Sequence, residues 1–245
     1  MCGFFGALTN KSPACQEIYD ALVSLQHRGQ DSAGIVTFEE KFHLKKGNGL
    51  VRDIFSAKNM SRLAGQMGIG HVRYPTFGGD TNEDAQPFIV HYPYGIAMAH
   101  NGNVTNNDEL KEYLCGEKKA HLNSSCDVEL ILNMLAIELA RGGVHDLEPA
   151  ILFEALAGVF ERVKGAYSVV SMIANFGLLA FRDVHGIRPM LIGTRDDGNG
   201  NQSFATASEN IALDVLGYKQ IENVKPGEAV LLSDEGILRN SREEL

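Results

Sequence analysis

Apolar residues recur every three or four positions in five stretches of the chain, which is the spacing that places side chains on one face of an α-helix. In the clearest stretch, residues 127–141, the side chains of Ile131, Leu135 and Leu139 share one face. Helix starts and stops are indicated by Ser, Pro and Gly residues. The predicted helices are 13–26 with Ser12 as N-cap and Pro13 at the first position, 107–114, 127–141 with Ser125 as cap, 147–163, and 209–216 with Ser208 as cap and Gly217 as stop.

Short apolar runs bounded by turn residues predict strands. The predicted strands are 2–8, 34–38, 42–46, 67–72, 95–100, 167–173, 178–182, 190–194, 203–207 and 229–233. These strands are grouped apart from the helices and do not alternate with them, which favours an α+β fold with antiparallel sheets. No internal repeat or linker interrupts the pattern, so we predict that residues 1–245 form a single domain.

Two stretches have no apolar period and are predicted to be irregular. Residues 26–32 form one of them, and residues 73–87 form a much longer one; irregular segments of that length inside a compact domain are uncommon and usually functional. Asn101-Gly102 usually marks a hairpin turn. The residues that follow it have a helical pattern, which leaves no second strand. We therefore expect a strand end with exposed backbone N–H groups at Asn101 and Gly102.

Composition and charge narrow the functional class. The net charge of −9 argues against a nucleic-acid or anionic-membrane surface. The most apolar stretch, residues 167–181, contains polar residues and is too short to span a bilayer, and no secretory signal follows Met1. Four cysteines without C-x-x-C spacing indicate neither a zinc site nor a disulfide framework. We expect a cytoplasmic protein without a metal or cofactor.

The residue best suited to act as a catalytic nucleophile is Cys2. Removal of Met1 would give it a thiol and a free α-amine on the same carbon, with ordinary pKa values of about 8.5 and about 7.7–8.0. The thiolate is the nucleophile, and an N-terminal amine can act as its base without a histidine. The alternative is that Cys2 is only a small residue tolerated after the initiator.

If Cys2 attacks a carbonyl, the developing oxyanion needs hydrogen-bond donors. Asn101 can offer a side-chain amide, and Gly102 offers a backbone N–H that no side chain obstructs. Loss of one such donor typically costs about 100- to 1000-fold in rate. The competing interpretation is that these two residues only make a tight turn.

Two charged residues can hold the ends of an α-amino acid. Arg73 opens the long irregular segment, and its planar fork suits a carboxylate, although a surface arginine at the end of a strand is the competing interpretation. Asp127 lies in the first turn of a helix and can bind an ammonium group, although such an acid is also common as a partner of the helix dipole. His71 and His100 are interpreted as structural histidines, and Arg28 as a structural tie.

Together these residues lie in motifs that resemble the class II glutamine amidotransferases. The motifs are Cys2-Gly3-Phe4-Phe5-Gly6, Leu25-Gln26-His27-Arg28-Gly29-Gln30-Asp31, Gly70-His71-Val72-Arg73-Tyr74-Pro75-Thr76, Ala85-Gln86-Pro87-Phe88 and His100-Asn101-Gly102-Asn103. Within that class, the amidophosphoribosyltransferases are the most similar branch. That likeness rests on Phe181-Arg182-Asp183, Gly186-Ile187-Arg188-Pro189, Ala207-Ser208-Glu209 and Pro226-Gly227-Glu228-Ala229.

The resemblance implies an N-terminal nucleophile hydrolase fold, a four-layer αββα sandwich of two antiparallel sheets. It implies that Cys2 attacks the side-chain amide of L-glutamine while Asn101 and Gly102 stabilise the oxyanion. Arg73, helped by Thr76, would then bind the substrate α-carboxylate, and Asp127 the α-ammonium group. The ammonia would go to an acceptor domain or subunit in purine nucleotide synthesis.

The chain also departs from the pattern of the purine-type members, which continue into a phosphoribosyltransferase domain. Residues 231–236 resemble its diphosphate site only superficially. We therefore expect that domain to be absent, and the chain to be a glutaminase subunit or part of a longer protein. Cluster-bearing members begin with a propeptide; because Cys2 follows Met1 directly, we expect no iron–sulfur centre.

Two other functions stay open at this point. One is an N-terminal-cysteine amidase that cleaves a different amide. The presence of both Arg73 and Asp127 argues against it, because an uncharged substrate needs no charged groups to hold its ends. The other is a regulatory or assembly module of an amidotransferase that has no turnover of its own. The sequence also leaves open whether the chain forms a homo-oligomer.

Overall fold

The computed structural model describes residues 2–74, 82–141, 143–198 and 200–241. The helices in these residues are α1 (Ala14–Ser24), α2 (Val51–Ile54), α3 (Ala57–Met60), α4 (Asn107–Lys111), α5 (Asp127–Ala140), α6 (Pro149–Arg162) and α7 (Asn210–Val215). The strands are β1 (Gly3–Leu8), β2 (Ser32–Glu39), β3 (Lys41–Asn48), β4 (Met67–Arg73), β5 (Phe88–Val90), β6 (Ile96–Val104), β7 (Gly165–Ile173), β8 (Gly177–Arg182), β9 (Leu191–Gly198), β10 (Asn201–Ala207), β11 (Lys219–Asn223), β12 (Glu228–Ser233) and β13 (Gly236–Ser241). Within the described ranges, no helix is long and apolar enough to cross a membrane.

The strands form two antiparallel sheets. Sheet A has the order β11-β9-β10-β1-β4-β2-β3, and sheet B has the order β13-β12-β8-β7-β6-β5. β1 lies near the centre of sheet A, where Gly3 is opposite Val72 of β4. Because β1 and β4 run in opposite directions, the start of β1 and the end of β4 meet at the same edge of the sheet.

Three apolar clusters show how the layers pack. Alternate residues of β1 point to opposite faces of sheet A: Phe4 packs between the sheets, and Phe5 packs against helix α1. On the other side of the molecule, α5 and α6 pack on the outer face of sheet B around residues such as Phe181. The order is therefore helix, sheet, sheet, helix, and the predicted α+β class with a four-layer αββα sandwich is confirmed.

The prediction that a strand ends at His100 is wrong. β6 continues to Val104, because Asn101 pairs with Ser168 and Gly102 with Tyr167 of the neighbouring strand β7. An added Cβ at Gly102, which has φ +155°, would overlap the carbonyl oxygen of Ala166. Glycine at this position therefore permits the close approach of two strands and does not make a turn.

The predicted serine caps are also wrong. The N-cap residues of α1, α5 and α7 are Pro13, Cys126 and Glu209, and none makes a side-chain capping bond. The serines bond elsewhere in the fold: Ser12 Oγ donates to Glu17, Ser125 to Asp84 and Ser208 to the Phe4 carbonyl. The sequence analysis also missed α2, α3, β5, β11 and β13, which are short or polar elements.

Candidate active site

The start of β1, the end of β4, the second half of β6 and the first turn of α5 surround one small cavity. Its walls include Cys2, Arg73, Gly102 and Asp127, together with residues that the sequence analysis did not assign to the site: Tyr74, Gln86, Asn103, Asn107, Ser125 and Cys126, besides His100. Residues 71 to 125 positions away from Cys2 in the sequence thus meet it at one point of the fold. Sheet pairing brings them together, which explains why no local pattern revealed the complete set.

The nucleophile candidate Cys2 is partly buried in this cavity. Its Sγ lies 3.6 Å from the carbonyl oxygen of Tyr74, and burial raises the pKa of the thiol above its ordinary value, while the positive charge of Arg73 acts in the opposite direction. A group with a raised pKa is mostly thiol at neutral pH. It therefore needs a base nearby before it can attack a carbonyl carbon.

Arg28 fixes the backbone beside that thiol. Its Nε donates to the Cys2 carbonyl oxygen at 2.7 Å, and its guanidinium group pairs with Glu209, which also lies 2.9 Å from His27. Arg28 is buried and does not line the cavity. These contacts fix the backbone of Cys2 in place.

Arg73 and Asp127 both line the cavity. Arg73 Nη2 is 4.0 Å from Asp84 Oδ2, and the same carboxylate accepts from the Ser125 backbone N–H at 3.1 Å. Asp127 Oδ2 accepts from the backbone N–H of Val104 at 2.8 Å. Both charged residues therefore have fixed positions at the rim.

The carboxyl group of Asp127 stays ionised well below neutral pH. Burial raises its pKa, but the nearby His100 and the Val104 N–H stabilise the carboxylate more strongly, and the pKa falls to about 2. The result is a partly buried negative charge that faces the cavity. Such a charge can bind an ammonium group.

The amide of Asn101 is buried, with 2% of the residue exposed, and its side chain makes no hydrogen bond of ordinary geometry to the described residues. Its side chain makes a weak hydrogen-bonding contact with the His71 ring, outside the geometry of an ordinary hydrogen bond. A buried amide without hydrogen bonds typically costs about 1–3 kcal/mol. In the same strand, Gly102 lines the cavity with its backbone.

Gln86 fixes the hydrogen-bonding state of His100. Its Oε1 accepts from the His100 backbone N–H at 2.7 Å, so the other amide atom is the nitrogen, which lies 3.2 Å from His100 Nδ1. Since an amide nitrogen can only donate, Nδ1 accepts and Nε2 carries the ring hydrogen. That nitrogen faces Asp127 Oδ1 at 3.2 Å.

His71 lies beneath His100 and is fully buried. Its Nε2 donates to the His100 carbonyl oxygen at 3.0 Å, and the Asn101 side chain makes a weak hydrogen-bonding contact with the ring. Burial, followed by repulsion from His100, lowers its pKa to about 3. His71 is therefore neutral at physiological pH and serves the structure, as the sequence analysis interpreted it.

This shift predicts an acid-dependent loss of stability. The unfolded chain protonates His71 near its ordinary pKa of about 6.5, whereas the folded chain does so only near 3, so its contribution is complete above pH 6.5 and decreases as the pH falls. At pH 4 the loss is about 3 kcal/mol. We expect urea unfolding of His71→Gln, which keeps a donor for the His100 carbonyl, to show a smaller decrease between pH 6.5 and pH 4. An equal decrease in both proteins would contradict the assignment.

Comparison with known proteins places this geometry in a family. Residues 71–215 match the model described as "Glutamine amidotransferase domain", which is more than half of the chain. The chain belongs to the glutamine amidotransferase family. The family is one of enzymes, and the matched residues include Arg73, Asn101, Gly102 and Asp127.

The relatives of this glutamine amidotransferase domain point to one branch. The chain is 48% identical to amidophosphoribosyltransferase of Escherichia coli (strain K12) over 97% of its own length and 47% of that protein. It is 46% identical to amidophosphoribosyltransferase of Schizosaccharomyces pombe over 100% of the chain and 46% of that protein. The resemblance deduced from the sequence motifs is thereby confirmed.

Solved structures agree with this relationship. Glutamine phosphoribosylpyrophosphate (PRPP) amidotransferase from B. subtilis, complexed with ADP and GMP, matches with a TM-score of 0.83 and 32% identity, covering 98% of this chain and 49% of that chain. A class-II domain protein from Silicibacter pomeroyi matches with a TM-score of 0.56 at 14% identity, which supports the fold alone. The chain spans about half the length of the curated relatives it matches.

Not every predicted site residue of this amidotransferase can be placed. Thr76 lies outside the described residues. Asp84 and Gln86 were missed, although both occur in the long irregular segment whose length signalled function. Cys126 was missed as a cavity residue because nothing in the sequence relates it to Cys2.

Two other findings concern possible ligands. In the described part of this glutamine amidotransferase, no three His, Cys, Asp or Glu side chains are grouped to hold a metal ion. A larger cavity of about 750 Å³ lies at the opposite end of β1, between Leu8, Phe38, Met67 and Phe176. None of the candidate site residues lines it, so cavity size alone is a poor guide to the chemistry here.

Proposed function

We propose that this chain hydrolyses the side-chain amide of L-glutamine to glutamate and ammonia, with Cys2 as nucleophile. The observation that carries the proposal is the buried amide of Asn101, which has no hydrogen bond of ordinary geometry among the described residues. Asn101 does not itself line the Cys2 cavity, but it stands in β6 between His100 and Gly102, which do. A tetrahedral oxyanion would satisfy this amide. The charged groups at the rim, Arg73 and Asp127, suit the two ends of an α-amino acid.

The mechanism starts with a proton transfer within Cys2. After removal of Met1, the free α-amine takes the thiol proton, directly or through a water molecule, and the thiolate attacks the amide carbon of glutamine. The Asn101 side chain and the Gly102 N–H stabilise the oxyanion. The α-amine returns the proton to the departing nitrogen, which leaves as ammonia, and water then hydrolyses the thioester to glutamate.

The charged residues hold the substrate during both steps. The guanidinium group of Arg73, with help from Thr76, binds the α-carboxylate of glutamine. The carboxylate of Asp127 binds its α-ammonium group. Arg28 supports the backbone of the nucleophile, and the proposed reaction needs no metal or cofactor.

The acceptor of the ammonia follows from the relatives. Because the curated relatives named above are amidophosphoribosyltransferases, we propose that the ammonia goes to a synthase domain or subunit of this type in purine nucleotide synthesis. Residues 1–245 would then form one glutaminase domain in the cytoplasm. A regulatory module without turnover is the alternative, and an assay of the purified chain decides between them.

Asp127 offers a test of substrate binding. We expect Asp127→Asn to lower kcat/KM for glutamine by about 30-fold or more, because removal of one partner from a buried ion pair costs about 2–5 kcal/mol. The effect on N-acetylglutamine, which has no ammonium group, should be much smaller. Glutamate release, measured with both substrates, gives the comparison.

Asp146→Asn, an exposed acid outside the cavity, is the control and should leave both values unchanged. Equal losses for the two substrates would show that Asp127 does not bind the ammonium group. Equal turnover of the two substrates by the wild-type chain would favour the amidase that cleaves a different amide. Absence of turnover from a chain with a processed N-terminus would favour the regulatory module.

A further inference from the structure

The segment at residues 83–88 supplies two side chains, Asp84 and Gln86, that contact residues of the site. Asp84 connects Arg73 with the loop before α5, at 4.0 Å from the guanidinium group and 3.1 Å from the Ser125 N–H. Gln86 bonds both the backbone and the ring of His100, which in turn faces Asp127. The two rim charges therefore depend on where this segment lies.

Sheet A receives the segment in a gap made by a glycine. A Cβ atom at Gly34 of β2 would overlap the Gln86 carbonyl oxygen and would lie 2.9 Å from Pro87 Cδ. The absence of a side chain at Gly34 thus lets the segment lie directly on the strand. Gly34 pairs with Lys46 of β3, so the lysine stands beside the same gap.

The ammonium group of Lys46 binds the segment through its backbone. Nζ donates to the Ala85 carbonyl oxygen and lies 3.4 Å from that of Glu83 and 3.5 Å from that of Pro87. It also lies 4.2 Å from the centre of the Phe88 ring, a cation–π contact. An ammonium group has three donors and no acceptor, so three convergent carbonyls match its hydrogen-bonding capacity.

The environment of Lys46 is consistent with this function. Burial lowers the pKa of its ammonium group, and the negative charges of Glu129 and Asp84 act in the opposite direction. A desolvated cation is costly without hydrogen-bond partners. The carbonyls of the segment supply these partners, so the lysine and the segment stabilise each other.

We propose that Lys46 is a positioning residue for glutamine binding, because it holds the 83–88 segment that fixes Arg73 through Asp84 and Asp127 through Gln86 and His100. The inference rests on the proposed glutaminase function. Lys46 does not line the active-site cavity and touches neither charged rim residue by any bond described above. Its effect should therefore appear in substrate binding and not in the chemistry at Cys2.

The test compares Lys46→Met with Lys46→Arg in the full chain. We expect Lys46→Met to raise KM for glutamine about tenfold with kcat within about twofold, which is the signature of lost uniform binding. The Lys46→Arg variant keeps the cationic donors and should recover most of the affinity. Lys45→Met, on the opposite face of β3, is the matched control and should behave as the wild type.

Hydrogen exchange gives a readout that does not depend on turnover. The backbone N–H groups of His100 and Ser125 bond to Gln86 and Asp84, so Lys46→Met should make both exchange about tenfold faster. The amide of Val169, in the centre of sheet B, should not change. A uniform increase at all three amides would indicate general destabilisation and overturn the proposal.

Two further outcomes separate this inference from the proposed function. A wild-type chain that does not hydrolyse glutamine would disprove the function, and the exchange rates of His100 and Ser125 would still decide whether Lys46 fixes the segment. An active chain in which Lys46→Met leaves KM unchanged, or lowers kcat alone, would overturn the positioning role.

Discussion

Cys2→Ala should abolish glutamate release from glutamine, with a loss of about 10⁴-fold or more, because removal of a covalent nucleophile leaves only the contribution of binding and oxyanion stabilisation. Among the described residues, the Cys2 thiol is the group that we propose as the nucleophile that attacks the substrate amide. Glutamate release should be measured together with the mass of the N-terminus. Turnover should require both the thiol and the absence of Met1.

A second thiol in the same cavity makes a sharp control. Cys126 is buried next to Asp127, and burial followed by the charge of that carboxylate raises its pKa to about 12, so almost none of it is thiolate at neutral pH. A chloroketone analogue of glutamine should therefore label Cys2 once and leave Cys126 unmodified. Cys126→Ser should keep the labelling. Labelling of Cys126, or full activity of Cys2→Ala, would disprove the assignment of the nucleophile.

The sequence was sufficient to predict those elements whose structure is determined by a local pattern. The apolar run 2–8 predicts a buried strand, and it is β1, whose Phe4 and Phe5 pack on opposite faces in the middle of a four-layer fold. The segment that follows Arg73 stood out because it has no period. Its described part carries Gln86 into the cavity and Asp84 to a position beside Arg73.

Where tertiary pairing determines the structure, the local interpretation failed. Asn101-Gly102 has the composition of a turn, but pairing with Ser168 and Tyr167 of β7 keeps it in a strand. Ser208 is a residue type that often caps helices, but its hydroxyl bonds the backbone of Phe4. It thereby fixes strand β1, which begins beside Cys2. In both cases a partner far away in the sequence supplies a better bond than the local one.

The contacts of the motif residues 182–186 show that they have a structural role. Asp183 accepts from the backbone N–H groups of Tyr167, His185 and Gly186, and Arg182 donates to the Gly186 carbonyl oxygen. These bonds hold the loop after β8 against β7, the neighbour of β6. The resemblance to a family located these residues, but only the contacts show what they do.

Asn101→Ala should lower kcat by about 100- to 1000-fold with KM changed little, because the amide is expected to bond the oxyanion and not the ground state of the substrate. Steady-state glutamate release over a range of glutamine concentrations separates the two constants. Asn101→Asp keeps the shape but replaces the donor by a negative charge beside the oxyanion. It should therefore be at least as impaired as Asn101→Ala.

The same substitution, Asn101→Ala, should change the stability of the fold very little. A large loss of activity could then not be attributed to unfolding. Because the Asn101 amide is buried without a hydrogen bond of ordinary geometry among the described residues, its removal deletes an unsatisfied polar group and should change the free energy of unfolding by less than about 1 kcal/mol. Asn223→Ala, at an exposed position of β11, is the control for both measurements. A variant that is as stable as the wild type but catalytically impaired would assign Asn101 to the reaction. Equal kcat values in the wild type and in Asn101→Ala would remove it from the oxyanion site, and the backbone N–H of Gly102 would then have to act with a donor other than Asn101.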